Sequence, residues 1–304
     1  MMKLTRISKE PIFRPIEKHK WESAAVFNCA AVYEKGLFHM IYRATDIGGN
    51  EKSGRYINRL GYAVSKDLLN WHRLSEPVLN NSVPQELRGP EDPRIVKMDN
   101  VFYMTYIGFA GPSFRDYKIC LATSEDLVNW KRLGILLNEE NKDASLFPEK
   151  INGEYFLLHR RKPDIWLSSS KDLKSFYNHI KIMSPIPGTW EHKKIGIAGP
   201  PVHHPQGWLL FYHAVDKADT YRLGAALLDY EDPRRVLARQ SVPVIEPKLD
   251  WEINGFVPNV IFSCATIEYK DRYIVIYAGA DTVIGAAYIK KEDVVFNKKD
   301  WLVK

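Results

Sequence analysis

The tetrapeptide Glu-Asp-Pro-Arg occurs twice in the chain, at residues 91–94 and at residues 231–234. A carboxylate held beside a proline and an arginine could serve as a proton donor in acid–base chemistry. The same residues could equally form a turn, because aspartate bonds its own backbone and proline fixes φ. The place of each copy within the rest of the chain decides between these two interpretations.

Five units that resemble one another follow along the chain, with a period of about 50–60 residues. Each has an extended apolar opening stretch, an aromatic-rich second strand and a third strand of small and apolar residues. The second strands contain "LFHMIYRATD", "VFYMTYIGFA", "EYFLLHRRK", "WLLFYHAVD" and "RYIVIYAGAD". This pattern predicts an all-β, five-bladed β-propeller of mostly four-stranded blades, with the active site at the central channel. We expect one propeller domain over residues 1–304.

The second Glu-Asp-Pro-Arg copy falls at a turn that recurs after the third strand of each unit. Asp232 occupies the phase of aspartates in the other four units, namely Asp67, Asp126, Asp172 and Asp293. Aspartate and proline are common in turns for local backbone reasons. We therefore predict a structural role for Asp232.

Asp92 has a different phase, at the start of the innermost strand of the second unit. Its predicted counterparts are Asn28, Glu149 with Lys150, Pro200 and Asn259. Four of these five units offer polar groups where strands prefer apolar or β-branched residues. A polar ring at one phase predicts a binding site at the channel mouth, with a hydrated channel end as the alternative.

The ends of the second strands supply a further set of polar side chains. Arg43, Arg160 and His213 share one phase, and we expect them to converge with Lys150 as cations. Bidentate arginine together with lysine suits an oxyanion such as phosphate.

Composition and residue spacing argue against a nucleic-acid partner, a metal site and a membrane span. The net charge of +6 and a pI near 9.0 are compatible with anionic partners, but no Lys/Arg-rich block marks a nucleic-acid partner. Cys29, Cys120 and Cys264 lie in apolar runs without metal-ligand spacing, and no apolar run is long enough to span a membrane. We expect a soluble, cytoplasmic protein without a metal, and homo-oligomer formation is left open.

Several motifs resemble glycoside hydrolase family 130 over nearly the whole chain. They are "FN" at 27–28, "EDPR" at 91–94, "LFPEKINGEYFLLHR" at 146–160, "GWLLFYHAVD" at 207–216, "NGFVPNV" at 254–260 and "YAGADTVIGAA" at 277–287. The resemblance implies a five-bladed β-propeller. It also implies inverting phosphorolysis of β-mannosides, which releases α-mannose 1-phosphate; a minority of the family are β-1,2-mannosidases.

The resemblance also implies a role for each matching residue. Asp92 corresponds to the general acid, and the family's acid is thought to act through the 3-hydroxyl of the mannose. The predicted sugar-binding residues are Asn28, Arg43 and Asp281. The predicted phosphate-binding residues are Lys150, Arg160 and His213. The expected partners are a mannooligosaccharide and inorganic phosphate as co-substrate, with no other cofactor.

Two alternatives to a phosphorylase of short β-1,2- or β-1,4-mannosides stay open. A β-1,2-mannosidase that uses water needs a second carboxylate opposite Asp92, and the candidates are Glu149, Asp164 and Glu191. A non-catalytic mannoside-binding propeller would have no need of a proton donor. The protonation state of Asp92 is also open, because Glu91 would raise its pKa and a nearby Arg94 would lower it.

Overall fold

The structure is a computed structural model and describes residues 1–46, 57–111, 113 and 115–302. Five small antiparallel sheets follow one another along these residues, which confirms the predicted five-bladed β-propeller. Helical segments are short: α1 (Asp250–Ile253) and 3₁₀ turns at Lys20–Glu22, Pro84–Glu86, Lys291–Asp293 and Lys298–Asp300. None of the described helices is long and apolar enough to cross a membrane.

Each sheet forms one blade, and its strands run in chain order from the innermost to the outermost. The N-terminal strand is β1 (Thr5–Arg6). Blade 1 contains β2 (Ala25–Glu34), β3 (Leu37–Thr45), β4 (Asn58–Ser65) and β5 (Trp71–Arg73). Blade 2 contains β6 (Gly89–Met98), β7 (Val101–Phe109), β8 (Tyr117–Ser124) and β9 (Lys131–Leu137). Blade 3 contains β10 (Lys142–Leu146), β11 (Tyr155–Arg161), β12 (Asp164–Ser170) and β13 (Tyr177–Met183).

The last two blades depart slightly from this plan. Blade 4 has an innermost strand in two pieces and contains β14 (Lys194–Ile197), β15 (Val202–His204), β16 (Gly207–Val215), β17 (Tyr221–Leu228) and β18 (Val236–Arg239). Blade 5 contains β19 (Ile261–Tyr269), β20 (Arg272–Gly279) and β21 (Val283–Lys290), with β1 as its outermost strand. Pairing of Thr5 with Tyr288 thus closes the ring with the first strand of the chain.

Apolar clusters fill the spaces between neighbouring blades. Met40 and Ile276 belong to the cluster between blades 1 and 5, and Leu158 and Leu210 belong to the one between blades 3 and 4. Similar clusters lie between the remaining neighbours. Burial of these side chains drives the blades together, and it leaves the polar residues near the channel on a rigid support.

A polar network of tyrosine, glutamate and arginine recurs in four of the blades. A tyrosine of the second strand hydrogen-bonds a buried glutamate, which is ion-paired with an arginine of the outermost strand. The members are Tyr42–Glu22–Arg73, Tyr106–Glu86–Arg132, Tyr212–Glu191–Arg239 and Tyr277–Glu252–Arg6. Successive side chains of a strand point to opposite faces, so each network fixes the orientation of the residue after its tyrosine. In blades 1 and 4 those residues are Arg43 and His213.

Asp232 lies in the turn between β17 and β18, where its Oδ1 accepts a hydrogen bond from the backbone N–H of Arg234 at 3.3 Å. Asp67 makes the related turn after β4 and accepts the backbone N–H groups of Leu69 and Asn70. The expected outer position of the second Glu-Asp-Pro-Arg copy is confirmed.

Candidate active site

Three polar residues at the start of the innermost strands share an unusual backbone conformation. Asn28, Asp92 and Asp143 have φ values of 41°, 50° and 54°. Each lies at a bulge, where the ladder to the second strand shifts its register. Positive φ is uncommon for residues other than glycine and is best tolerated by asparagine and aspartate. Such strain is kept where the surroundings enforce it, and it clusters at functional sites.

Asp143, and not Lys150, is the blade 3 counterpart of Asp92, so that part of the predicted phase is wrong. Lys150 is exposed near the turn that joins β10 to β11, with Nζ 4.5 Å from the ring centroid of Tyr155. Arg160 pairs with Lys142 at the other end of the same two strands. The structure therefore does not bring Lys150 to Arg160. The prediction placed the start of the blade 3 innermost strand at the charged "FPEK" motif. The strand β10 begins earlier, in "KDASL".

Asp92, Arg43 and Asn28 come together as predicted. Arg43 Nη1 donates to Asp92 Oδ1 at 2.8 Å, and Asn28 Nδ2 donates to the same oxygen at 2.9 Å. All three residues are at least 95% buried. Asn28 Oδ1 is buried and has no hydrogen-bond partner among the described residues. Because such an acceptor is unfavourable unless it is paired, its position suits a hydroxyl donor of a sugar.

Asn58 completes the support of Arg43, and sequence reasoning missed this residue. Arg43 Nε donates to Asn58 Oδ1 at 2.8 Å, and Asn58 Nδ2 donates to Glu91 Oε1 at 2.8 Å. Arg43 Nη2 also lies 3.0 Å from Glu91 Oε1. The guanidinium is thus fixed by two carboxylates and an amide, which aligns it with Asp92.

Arg94 spans the channel instead of facing the Asp92 carboxylate. Its guanidinium donates to the carbonyls of Ala198 at 2.6 Å and Ile197 at 2.9 Å, and to the backbone carbonyl of Asp92 at 3.2 Å. The bulge between Glu91 and Arg94 interrupts the alternation on which the sequence-based expectation rested. Arg43 is the guanidinium that contacts the carboxylate.

Arg160 and His213 also come together, and the residue that joins them is Asp143. Asp143 Oδ2 lies 2.5 Å from Arg160 Nη1 and 3.5 Å from His213 Nε2, and its Oδ1 lies 3.4 Å from Arg94 Nη2. Burial opposes ionisation of this carboxyl, but Arg160, His213 and Arg94 outweigh it and lower its pKa. Asp143 is therefore an ionised and firmly paired carboxylate.

His213 is not the cation that the sequence suggested. Complete burial lowers its pKa to about 3, with Asp143 opposing and Arg160 adding to the shift. Arg160 Nη1 lies 3.3 Å from Nε2, and a guanidinium can only donate, so the ring proton sits on Nδ1. His213 Nδ1 and Arg160 Nε are buried donors without a hydrogen-bond partner in the described part of the chain.

Three lysines that sequence reasoning missed add positive charge to this cluster. Lys142, Lys162 and Lys194 interact electrostatically with one another, and Lys162 and Lys194 also interact with Arg160. Burial, followed by the charge of Arg160, lowers the pKa of Lys194 to about 8. A cavity of about 220 Å³ opens here, lined by Tyr117, Glu140, Asn141, Lys142, Arg160, Arg161 and Lys162. The basic residues in "NKDASL" and "RRKPD" could have indicated a cationic site. Their convergence depends on the bulge that shifts the pairing of β10 with β11.

Asp281 lies after β20 with a φ of 52°, half-buried. Burial, with Asp281 contributing, raises the pKa of Tyr221, and the Tyr221 ring stacks on His213 with centroids 6.1 Å apart. Asn259 has a φ of 58°, and its backbone carbonyl accepts the backbone N–H of Tyr221 at 3.0 Å. Asn259 therefore lies beside Tyr221, while the residue after Asp281, Thr282, accepts the backbone N–H of Val26 in blade 1 at 3.1 Å.

The three candidates for a second catalytic carboxylate lie elsewhere. Glu191 is ion-paired with Arg239 in the blade 4 network. Asp164 Oδ2 lies 3.7 Å from Lys181 Nζ, and Glu149 is about half exposed beside His203. Each of these three carboxylates is engaged by a basic side chain other than Arg43 and Arg160.

Comparison with known proteins gives consistent results over the full length. The family model of glycoside hydrolase family 130, described as beta-1,4-mannooligosaccharide phosphorylase, matches residues 3–299. A 1,2-beta-oligomannan phosphorylase of Thermoanaerobacter sp. (strain X514) is 57% identical over 97% of this chain and 100% of its own. A beta-1,2-mannobiose phosphorylase of the same organism is 54% identical with the same coverage.

A solved structure agrees with this result. The beta-1,2-mannobiose phosphorylase from Listeria innocua, in complex with beta-1,2-mannobiose, superposes with a TM-score of 0.87 at 26% identity. The match covers 96% of this chain and 98% of that one. The family model and the relatives, together with the fold and the position of the first Glu-Asp-Pro-Arg motif, show that the chain belongs to glycoside hydrolase family 130.

Proposed function

We propose that the protein cleaves short β-mannosides with inorganic phosphate and releases α-mannose 1-phosphate. The observation that carries this proposal is the cationic cluster around Asp143, which Arg94 links to the backbone carbonyl of Asp92. Arg160, Lys142, Lys162 and Lys194 surround one paired carboxylate, and Arg160 and His213 each hold a buried donor that has no partner among the described residues. Buried donors in a positively charged cavity favour an oxyanion as ligand.

Asp92 is the proposed general acid, and its surroundings suit that role. Asn28 and Arg43 both contact Oδ1, which orients the carboxyl group. In the proposed reaction a phosphate oxygen forms a bond to the anomeric carbon on the α face while the β-glycosidic C–O bond breaks. The proton of Asp92 reaches the leaving oxygen, through the mannose 3-hydroxyl as the family resemblance implies, and the anomeric configuration inverts.

Phosphate as the nucleophile explains why one catalytic carboxylate is sufficient. An inverting hydrolase needs a second carboxylate that takes a proton from water. Asp143 is the carboxylate inside the cationic cluster, but its ion pairs with Arg160 and Arg94 lower its pKa. A carboxylate held so firmly in the ionised form is a weak base. The site therefore favours phosphorolysis over hydrolysis.

We further propose a β-1,2-linked substrate. The two relatives that are more than 50% identical are named for 1,2-β-oligomannan and β-1,2-mannobiose, whereas the description of the family model refers to β-1,4-linked mannooligosaccharides. A cytoplasmic location and independence from other cofactors belong to this proposal as well. The buried free thiols of Cys29, Cys120 and Cys264 suit a reducing compartment.

The experiment is cleavage of β-1,2-mannobiose and β-1,4-mannobiose in the presence and absence of phosphate. The proposal predicts consumption of the β-1,2-linked sugar only when phosphate is present. Equal cleavage in phosphate-free buffer would show a mannosidase. Binding without any turnover of either sugar would show a non-catalytic propeller.

A further inference from the structure

Blade 3 departs from the polar network that the other four blades share. At the position of the network tyrosine it carries His159, which directly precedes Arg160 as Tyr42 precedes Arg43. His159 is completely buried. Blade 3 carries the most cations of the candidate phosphate site. Its second strand is therefore held by contacts that differ from the tyrosine network of the other blades.

Asn141 connects this histidine to the backbone of Arg160. Its Oδ1 accepts the backbone N–H of Arg160 at 3.1 Å, and its Nδ2 donates to His159 Nδ1 at 2.9 Å. Nδ2 also lies 2.8 Å from Glu139 Oε1, which is paired with Arg161. Asn141 is 2% exposed, so its amide is held on every side and in turn holds the strand at Arg160.

The hydrogen bonds define where the ring protons lie. Nδ1 of His159 accepts from an amide nitrogen, so the proton of the neutral ring is on Nε2. Nε2 then donates to His179 Nδ1, which lies at 3.1 Å. Burial lowers the pKa of His159 to about 3, with His179 and Arg161 adding to the effect. The neutral ring keeps Nδ1 available as the acceptor for Asn141.

We propose that Asn141, His159 and His179, here named the histidine chain, are positioning residues that aim Arg160 at the phosphate. The inference rests on the proposed function, because it assigns Arg160 to the phosphate. The histidine chain contacts the backbone N–H of Arg160 through Asn141. The guanidinium of Arg160 lies 2.5 Å from Asp143. Asn141 and Arg160 also line the same cavity of about 220 Å³. A loosened strand would move the guanidinium within that cavity.

The first test is the Michaelis constant for phosphate in variants of the histidine chain. His159→Leu and Asn141→Ala are expected to raise it about fivefold to tenfold, the effect of one lost buried hydrogen bond. The kcat and the Michaelis constant for the mannoside should change less than about twofold. His159→Asn should recover most of the phosphate affinity, because its side-chain oxygen can take the place of Nδ1 as acceptor.

Tyr106→Phe is the matched control. Tyr106 occupies the same register position in blade 2 and donates to Glu86 at 2.6 Å, but Ile107 follows it instead of a cation. This variant should lose stability without a change in the Michaelis constant for phosphate. An equal increase in Tyr106→Phe would contradict the proposal, because the effect would then be a general consequence of weakening a blade.

Hydrogen exchange provides a second readout that does not depend on turnover. The peptide that contains the Arg160 amide should exchange faster in His159→Leu and Asn141→Ala, and at the wild-type rate in Tyr106→Phe. Unchanged exchange together with an unchanged Michaelis constant in the folded variants would overturn the positioning role. Mannoside cleavage by the wild type at the same rate with and without phosphate would instead refute the proposed function. The hydrogen-exchange comparison would still decide whether the histidine chain fixes the strand at Arg160.

Discussion

Asp143 and Asp92 occupy the same bulged position in neighbouring blades, with φ values of 54° and 50°, yet their carboxylates differ in the number of cations around them. Asp143 Oδ2 lies 2.5 Å from Arg160 within a group of cations. Asp92 Oδ1 is contacted by Arg43 and by the neutral amide of Asn28. The repeated fold thus presents two carboxylates at one bulged position, and we propose proton transfer for Asp92 and the holding of cations for Asp143.

Asp92→Asn is predicted to lower kcat by about 10²–10⁴-fold, the usual contribution of a general acid. The amide can still contact Asn28 and Arg43, so the melting temperature should stay close to that of the wild type. Steady-state kinetics and a thermal melt measure the two quantities. Asp232→Asn, in the second copy of the motif, is the control and should keep nearly full turnover. A similar loss in both variants would remove the distinction between the two copies.

Lys194→Met is predicted to raise the Michaelis constant for phosphate by roughly 10- to 100-fold, since a charge-assisted hydrogen bond contributes about 1.5–3 kcal/mol. The matched control is Lys150→Met, at an exposed lysine near the β10–β11 turn, which should leave the constant unchanged. Initial rates over a series of phosphate concentrations decide the outcome. A larger effect at Lys150 would restore the original assignment from the sequence and contradict the structure.

The phosphate affinity is predicted to fall as the pH rises through about 8. Burial and the charge of Arg160 lower the pKa of Lys194 to about 8, so its ammonium is present below that pH and is lost above it. The Michaelis constant for phosphate, measured from pH 6.5 to 9.5, should therefore increase at the alkaline end. Lys194→Arg should shift the increase to higher pH, because a guanidinium stays charged. A flat profile in the wild type would argue against a charged Lys194 at the phosphate.

The free energy of unfolding is predicted to fall in mild acid. Burial lowers the pKa values of His213 and His159 to about 3 each, so the unfolded chain binds protons below about pH 6.5 that the folded chain does not. Stability is therefore full above pH 6.5 and decreases as the pH falls towards 3. Each histidine should contribute about 2 kcal/mol between pH 7.5 and 5. Urea unfolding at both pH values checks this, and His159→Asn should reduce the difference by about half.

The repeat was sufficient to predict the fold and much of the Asp92 side of the site. Asn28 and Asp92 follow from the phase of the innermost strands and Arg43 from that of the second strands, and both Asn28 and Arg43 contact Asp92. Asp143 was missed because the start of the blade 3 innermost strand was placed at the charged "FPEK" segment, whereas β10 begins earlier, at Lys142. The neutral state of His213 was missed because it depends on complete burial, which a sequence does not display.

In the proposed reaction phosphate, and not water, attacks the anomeric carbon. Phosphorus and proton NMR of a reaction with β-1,2-mannobiose and inorganic phosphate tests it most directly, because the first product and its anomeric configuration are observed together. The structure predicts that α-mannose 1-phosphate and mannose appear in equal amounts while inorganic phosphate declines. Release of two molecules of mannose with inorganic phosphate unchanged would contradict the account.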